Sequence, residues 1–155
     1  MAKKEQDTPV IQNRKANHLY FVEERFETGV MLIGSEVKSI RDGKCSLNEA
    51  WVDIDDKDEL WLVGAHIDEY LFANRFNHFP ARKRKLLAHK HEIAKMRKAK
   101  DLKGYTLIPL KLYFKKRYVK LEVGICRGKD NQDKRQDLIK RDTQMEIARA
   151  MKAHR

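Results

Sequence analysis

The strongest constraint on the fold is a pair of alternating segments between residues 105 and 126. The first segment alternates polar or small residues with Thr106, Ile108, Leu110, Leu112 and Phe114. The second has the same period of two in Val119, Leu121, Val123 and Ile125. Because a period of two puts apolar side chains on one face of a strand, the pattern predicts a hairpin with one buried face, turning at Lys115-Lys116-Arg117. Pro109 is expected at an edge or a bulge, since proline cannot donate to the ladder.

Shorter strands are predicted upstream of this hairpin. Apolar runs occupy residues 19–22 and 30–33, and residues 47–54 and 60–63 form a second hairpin around an acidic turn. Between them, Ser35 is predicted to cap a short helix that turns Val37 and Ile40 inward. Hairpins without a βαβ rhythm indicate a mainly β fold with flanking helices, a small barrel for which the OB-fold is the natural candidate.

The net charge indicates the class of partner. The chain has 155 residues and a formal net charge of +11, which favours a polyanion, most commonly nucleic acid, with an anionic membrane surface as the rival. No apolar run is long enough to span a bilayer, and the length suits one domain with an appendage.

The charge is unevenly distributed along the chain. Residues 82–103 contain ten Lys or Arg and two acids, and they carry a helical apolar stripe of Leu86, Leu87, Ile93, Ala94 and Met96. We interpret this segment as a basic amphipathic helix that contacts RNA, against the alternative of a solvated surface helix. Residues 42–59 hold seven acids and two lysines, so that end is expected to face away from a polyanion.

No catalytic, metal or cofactor site is predicted. The sequence lacks a nucleophile elbow, a phosphate-binding glycine loop and an HExxH motif. His89 and His91 are two apart on the predicted helix, so they should point to different faces and make a poor metal pair. Cys45 and Cys126 have no CxxC partner and are interpreted as buried thiols. A nuclease stays an alternative, because its carboxylates need not be neighbours in sequence.

The last segment of the chain differs from the rest. Gly128 is expected to end the last strand with backbone angles that other residues avoid. Residues 128–155 then form a basic tail, and a helix starting near Asp133 would carry a ragged apolar stripe of Leu138, Ile139, Met145, Ile147 and Met151. Such a helix is marginal alone and must dock or await a partner. The predicted division is therefore a disordered segment at residues 1–12, a barrel at 13–127 and the tail.

Five stretches, taken in order, resemble the small protein B family, the SsrA-binding proteins of bacterial trans-translation. They are Asn13-Arg14-Lys15-Ala16, Gly34-Ser35-Glu36-Val37-Lys38-Ser39-Ile40-Arg41, Arg84-Lys85-Leu86-Leu87, Pro109-Leu110-Lys111-Leu112-Tyr113-Phe114, and Gly128-Lys129 followed by Asp133-Lys134-Arg135. The resemblance implies an OB-like six-stranded antiparallel barrel that binds the elbow of the tRNA-like part of transfer-messenger RNA. It also implies delivery to stalled ribosomes, with alanyl-charged RNA and elongation factor Tu as partners and the cytoplasm as location.

The resemblance further implies two sets of functional residues. The RNA-contact positions are Glu27 beside Gly29, Leu87, His89 and Lys120, and Tyr118 and His18 are further candidates. Tyr118 and Lys120 also stand out independently, because an aromatic beside a lysine on an exposed strand suits nucleic acid. Glu27 and His89 could equally be surface residues, and Leu87 could be core.

The tail is implied to become a helix in the empty messenger channel of the small subunit, near the decoding centre. Its positions are Gly128, Lys129, Gln132, Asp133, Lys134, Arg135, Arg149 and Met151. Gln132 stands where many members carry His or an aromatic, so a stacking contact should be weak there. The alternative function is a ribosomal or generic single-stranded RNA-binding protein.

Overall fold

The computed structural model describes residues 8–73, 77–129 and 131–153. Its elements in chain order are β1 (Ile11–Gln12), α1 (Arg14–Leu19), β2 (Tyr20–Val30), α2 (Gly34–Arg41), β3 (Cys45–Ser46), β4 (Trp51–Ile54), β5 (Leu60–Val63), β6 (His66–Ile67), β7 (Arg84–Leu87), α3 (Lys90–Lys100), β8 (Tyr105–Lys115), β9 (Tyr118–Gly128) and α4 (Asn131–Ala153). No helix in these ranges combines the length and apolarity needed to cross a bilayer.

The strands form one large antiparallel sheet in the order β1-β8-β9-β2-β7-β5-β4, and β3 pairs with β6 separately. The sheet curls, because β4 at one edge lies against β8 near the other. The predicted mainly β fold with flanking helices is confirmed, but the main sheet has seven strands where six were expected. Part of the difference is β1, in which Ile11 pairs with Leu112, so the ordered body begins before residue 13.

The predicted hairpin is β8 and β9, and Pro109 lies at a bulge as expected. The bulge changes which side chains share a face. Leu107 and Leu112 enter the main core, whereas Ile108 and Leu110 join a second cluster with Ala16 under α1. The prediction of one continuous buried face was therefore wrong, because a period of two does not survive an inserted residue.

A buried ion pair joins two of the stretches on which the family resemblance depends. Glu36 accepts hydrogen bonds from Arg84 Nε at 2.6 Å and Arg82 at 2.5 Å, and Glu36 and Arg84 have no solvent exposure. Burial opposes ionisation of Glu36, but these bonds and one from the Ile33 amide outweigh it and lower its pKa. Glu36 therefore caps α2, while the Ser35 hydroxyl, the predicted cap, bonds His78 at 2.8 Å.

The basic segment is a strand followed by a helix, not one helix. β7 pairs with β2 on one side and β5 on the other, so Leu86 is core and Leu87 faces outward. α3 begins only at Lys90. Strand pairing on both sides overrides the helical period of this segment.

The acidic turn lies against α3. Arg97 and Lys100 of α3 form ion pairs with Asp58 and Asp53. Asp58 in the turn and Asp53 in β4 therefore neutralise two basic residues in the C-terminal part of α3. The local excess of positive charge in the sequence overstates the charge that α3 can offer to a polyanion.

The body ends slightly later than predicted. Gly128 is the last residue of β9, pairs with Tyr20 and lacks a positive φ, so the expected special backbone is absent from this residue. The Lys129 amide donates to the Leu19 carbonyl at 2.8 Å and extends the pairing by one step. α4 then starts at Asn131, and the five predicted apolar side chains along it are exposed.

Candidate RNA-binding surface

Three strands place the predicted RNA-contact residues side by side. In the middle strand, Gly29 lies directly opposite Lys120 of β9 and, on its other side, opposite Leu87 of β7. A side chain at Gly29 would fill the space between them, since an added Cβ would lie 3.4 Å from the Leu87 Cβ. Gly29 therefore forms an open floor, and the side chains of Lys120 and Leu87 rise on either side of it.

This floor belongs to a concavity of about 660 Å³, which we call the Gly29 groove. Its walls are Glu27, Val30, Leu87, Ala88, His89, Glu92, Tyr118, Val119 and Lys120. Five of the six predicted RNA-contact residues therefore meet in one place. Leu87 is 51% exposed and Tyr118 is 71% exposed, so both present apolar surface to the groove and not to the core.

Glu27 is held in an ionised state by neighbours on β8. The Tyr113 hydroxyl donates to Glu27 Oε2 at 2.5 Å, and Lys115 Nζ donates to Oε1 at 3.2 Å. The hydrogen bond from Tyr113 is the main cause of the lowered Glu27 pKa, followed by that from Lys115. Burial and then Glu27 raise the pKa of Tyr113 in turn. Glu27 is therefore a fixed acceptor at the groove edge.

Lys120 differs from the neighbouring lysines of the hairpin. Lys111 lies 3.3 Å from Glu122, and Lys115 bonds Glu27. Lys120 makes no ion pair or hydrogen bond within the described ranges, although its charge contributes to lowering the Glu27 pKa. Its ammonium group can therefore meet a phosphate without breaking an internal contact.

His89 precedes α3 and does not lie on it. The rings of His89 and His91 lie 5.6 Å apart and 11° from parallel, so the prediction that they point to different faces was wrong. A residue before the first helical turn does not follow the helical spacing. No group of three possible metal ligands occurs among the described residues. Parallel rings at a groove edge suit the stacking of a base.

Glu92 is a groove residue that the sequence reasoning missed. Its Oε2 atom is buried and has no hydrogen-bond partner within the described part of the chain. One signal in the sequence could have pointed to Glu92. It lies three residues after His89, the residue that precedes α3, and glutamate at that position often caps a helix.

His18 is not part of the groove. It lies in the last turn of α1, beside the start of β2, whereas Gly29 lies near the end of that strand. Nine steps along an extended chain separate Tyr20 from Gly29, which is about 30 Å. His18 instead neighbours the end of β9, where Gly128 and Lys129 lie.

The predicted tail residues are only partly described. The side chains of Gln132, Asp133 and Lys134 lie outside the described part of α4. Arg135, Arg149 and Met151 are exposed on that helix.

Comparison with known proteins gives consistent matches across the chain. A family model described as "SmpB protein" matches residues 10–153. The SsrA-binding protein of Bifidobacterium adolescentis is 47% identical over 152 residues, which cover 98% of this chain and 96% of the relative. That of Desulfitobacterium hafniense strain DCB-2 is 50% identical over 140 residues, covering 90% and 89%. A solved structure described as "tmRNA-SmpB: a journey to the center of the bacterial ribosome" matches with a TM-score of 0.67 and 43% identity, covering 79% of this chain and 86% of that one.

Proposed function

This chain belongs to the SmpB family, and on that premise we propose that it binds transfer-messenger RNA and brings it to stalled ribosomes for rescue. The observation that carries the proposal is the meeting of Glu27, Leu87, His89, Tyr118 and Lys120 in the Gly29 groove. The protein is an RNA-binding factor and not an enzyme, as the names of the family and the relatives indicate. The nuclease alternative is therefore dropped.

The groove combines four kinds of RNA contact. Lys120 neutralises a backbone phosphate, and Tyr118 and His89 offer ring faces on which unstacked bases can lie. The bare backbone at Gly29 lets a nucleotide approach closely, with Leu87 as the apolar wall. Glu27 accepts a hydrogen bond from a ribose hydroxyl or a base amino group. Such a surface recognises a folded loop better than a continuous helix.

The tail acts at a different stage. We assign α4 to the vacant messenger channel, where Arg135 and Arg149 neutralise ribosomal RNA phosphates. Because α4 begins at Asn131, Asp133 lies in its first turn, where an acidic residue suits the helix dipole, and does not cap the helix as predicted. Met151 is assigned an apolar contact there. Gln132 lacks a ring to stack on a base at the decoding centre. Alanyl-charged RNA with elongation factor Tu completes the delivered complex in the cytoplasm.

The test is binding of the full-length protein to the tRNA-like part of transfer-messenger RNA, with an unstructured RNA of equal length as competitor. A strong preference for the structured RNA is expected, because the groove recognises shape. Equal binding of the two RNAs would favour a generic single-stranded RNA-binding protein and contradict the proposal. Peptide release from ribosomes stalled on a message without a stop codon then measures the second stage.

A further inference from the structure

The start of the tail surrounds one aromatic ring. Phe21 lies opposite Arg127 in the β2–β9 pairing, so both side chains project from the same face of the sheet. Arg127 Cζ lies 5.2 Å from the ring centroid of Phe21, and Lys129 Nζ lies 4.9 Å from it. Both distances are within the range of cation–π attraction. We call Phe21, Arg127, Lys129 and Asn17 the tail root.

Lys129 is fixed to α1 by two further contacts. Its amide donates to the Leu19 carbonyl at 2.8 Å, and its ammonium group donates to the Asn17 carbonyl at 2.8 Å. Both acceptors lie in the last turn of α1, where carbonyls lack helical partners and a cation is favourable. The backbone and the side chain of Lys129 therefore both attach the chain to the body two residues before α4 begins.

Arg127 is also oriented from its other side. Glu23 lies 3.7 Å from Arg127 Nε and accepts a hydrogen bond from the Tyr105 hydroxyl at 3.3 Å. Glu23 lies at a bulge of β2, where the pairing with β9 shifts between Val22 and Glu24, and its carboxylate reaches the guanidinium that also contacts the Phe21 ring. This arrangement limits the directions in which the residues after β9 can leave the sheet.

We propose that Phe21 is a positioning residue that sets the direction in which α4 leaves the barrel, by holding Arg127 and Lys129 against its ring. The inference rests on the proposed function of α4 at the ribosome. It assigns Lys129 to the attachment of the tail, whereas the resemblance implied a phosphate contact. It also explains why an aromatic is useful at a half-buried position far from the Gly29 groove.

The length of α4 makes its direction important. A helix of 23 residues is about 34 Å long, so a change of about 20° at its start moves the far end by roughly 12 Å. That displacement exceeds the spacing of neighbouring phosphates in RNA. A loose root therefore leaves the tail intact but reduces the fraction of molecules that enter a narrow channel.

The test uses the full-length protein with Phe21→Leu, which removes the ring, and Phe21→Trp, which keeps one. Phe21→Leu is expected to leave the Kd for transfer-messenger RNA within about twofold and to slow rescue of stalled ribosomes by about tenfold, as loss of two cation–π contacts would give. Phe21→Trp is expected to restore most of the rescue rate. Phe72→Leu, at an exposed ring elsewhere on the body, is the matched control and should change neither quantity.

Two readouts distinguish a positioning role of Phe21 from a role in folding alone. Thermal unfolding should show similar midpoints for the Leu and Trp variants, while their rescue rates differ. Amide hydrogen exchange should speed up at Lys129 in Phe21→Leu and stay unchanged at Gly29 and Leu87. Equal rescue by wild type and Phe21→Leu, or equal losses in RNA affinity and rescue, would overturn the inference. Failure of the wild type to bind transfer-messenger RNA would instead overturn the proposed function.

Discussion

The two ends of the β2–β9 pairing use positive charge in opposite ways. At the Gly29 groove, Lys120 has no ion pair or hydrogen bond within the described ranges, and bare backbone and exposed rings surround it. At the tail root, Arg127 and Lys129 are engaged by Phe21, Glu23 and carbonyls of α1. A charged surface residue is available to a partner only where the fold leaves its charge uncompensated.

The largest predicted effect is a loss of fold stability that disrupts the Gly29 groove and the tail root together. Arg84→Ala removes the fully buried partner of the buried Glu36 carboxylate, which should cost about 3–5 kcal/mol in the free energy of unfolding. Urea denaturation measures it, with exposed Lys83→Ala as the control. RNA binding and rescue should fall together. Loss of only one function would show that the two ends do not share this support.

The same ion pair predicts a pH dependence. The folded pKa of Glu36 lies below its usual value of 4.5, so its ionisation stabilises the fold above that value. This stabilisation is lost as the pH falls through the lowered folded pKa. The free energy of unfolding of the wild type should therefore drop below about pH 4.5, and Glu36→Gln should flatten the Glu36 part of that drop. An unchanged profile in that variant would contradict the assignment.

A substitution in the Gly29 groove should change RNA binding and leave the contacts of the tail root intact. Lys120→Ala is expected to weaken binding of transfer-messenger RNA by about 1–3 kcal/mol and to reduce the salt dependence by about one phosphate contact. Lys44→Ala removes the same charge outside the groove and should have little effect. Titrations at several salt concentrations measure both quantities. Unchanged affinity in Lys120→Ala would remove Lys120 from the site.

The two glycines of β9 give a matched pair for stability. At Gly124 an added Cβ would lie 2.8 Å from Leu110 Cδ1, whereas at Gly128 it meets nothing within 4 Å. Gly124→Ala should therefore destabilise the fold by about 1–3 kcal/mol through overpacking. Gly128→Ala should stay within about 0.5 kcal/mol of the wild type. A large loss at Gly128 would show that the tail start is more crowded than the structure has it.

The smallest expected effect concerns the acceptor at the groove. If Glu27 accepts from RNA, Glu27→Gln should weaken binding by about 0.5–1.5 kcal/mol, because an amide is a poorer acceptor. A surface carboxylate without such a role gives the opposite sign, since its removal lessens repulsion of the phosphates. Competition binding at neutral pH, where the lowered pKa keeps Glu27 ionised, distinguishes the two signs.

Much of the fold could be predicted from local patterns. The β8–β9 hairpin and the β4–β5 hairpin were found because each has an apolar alternation in sequence, although a bulge interrupts that alternation in β8. The errors occurred where a residue's surroundings outweigh its neighbours in sequence. Residues 84–87 have a helical apolar spacing but lie between two strands, and one inserted residue near Pro109 moved Ile108 and Leu110 into another cluster.

The candidate site divides in the same way. Family resemblance brought in Glu27, Leu87 and His89, but only the pairing of β2 with both β7 and β9 shows that they share a floor with Lys120. Phe21 escaped notice because Arg127 and Lys129 are distant from it in sequence, whereas Glu92 was missed although its spacing from His89 is a local signal. His18 was grouped with the RNA contacts, yet it lies on α1 between Asn17 and Leu19, whose carbonyls accept from Lys129.

The fold class, the net positive charge, the two hairpins and the family could be read from the sequence, because periodicity, composition and short motifs need no knowledge of long-range contacts. Which charges remain available depends on long-range contacts and therefore on the folded structure. Lys120 lies near the start of β9 and Lys129 follows its last residue, and no local pattern shows which of the two charges is already engaged by the fold. Their difference comes from what the fold places around each, an open groove for the first and an aromatic ring with helix carbonyls for the second.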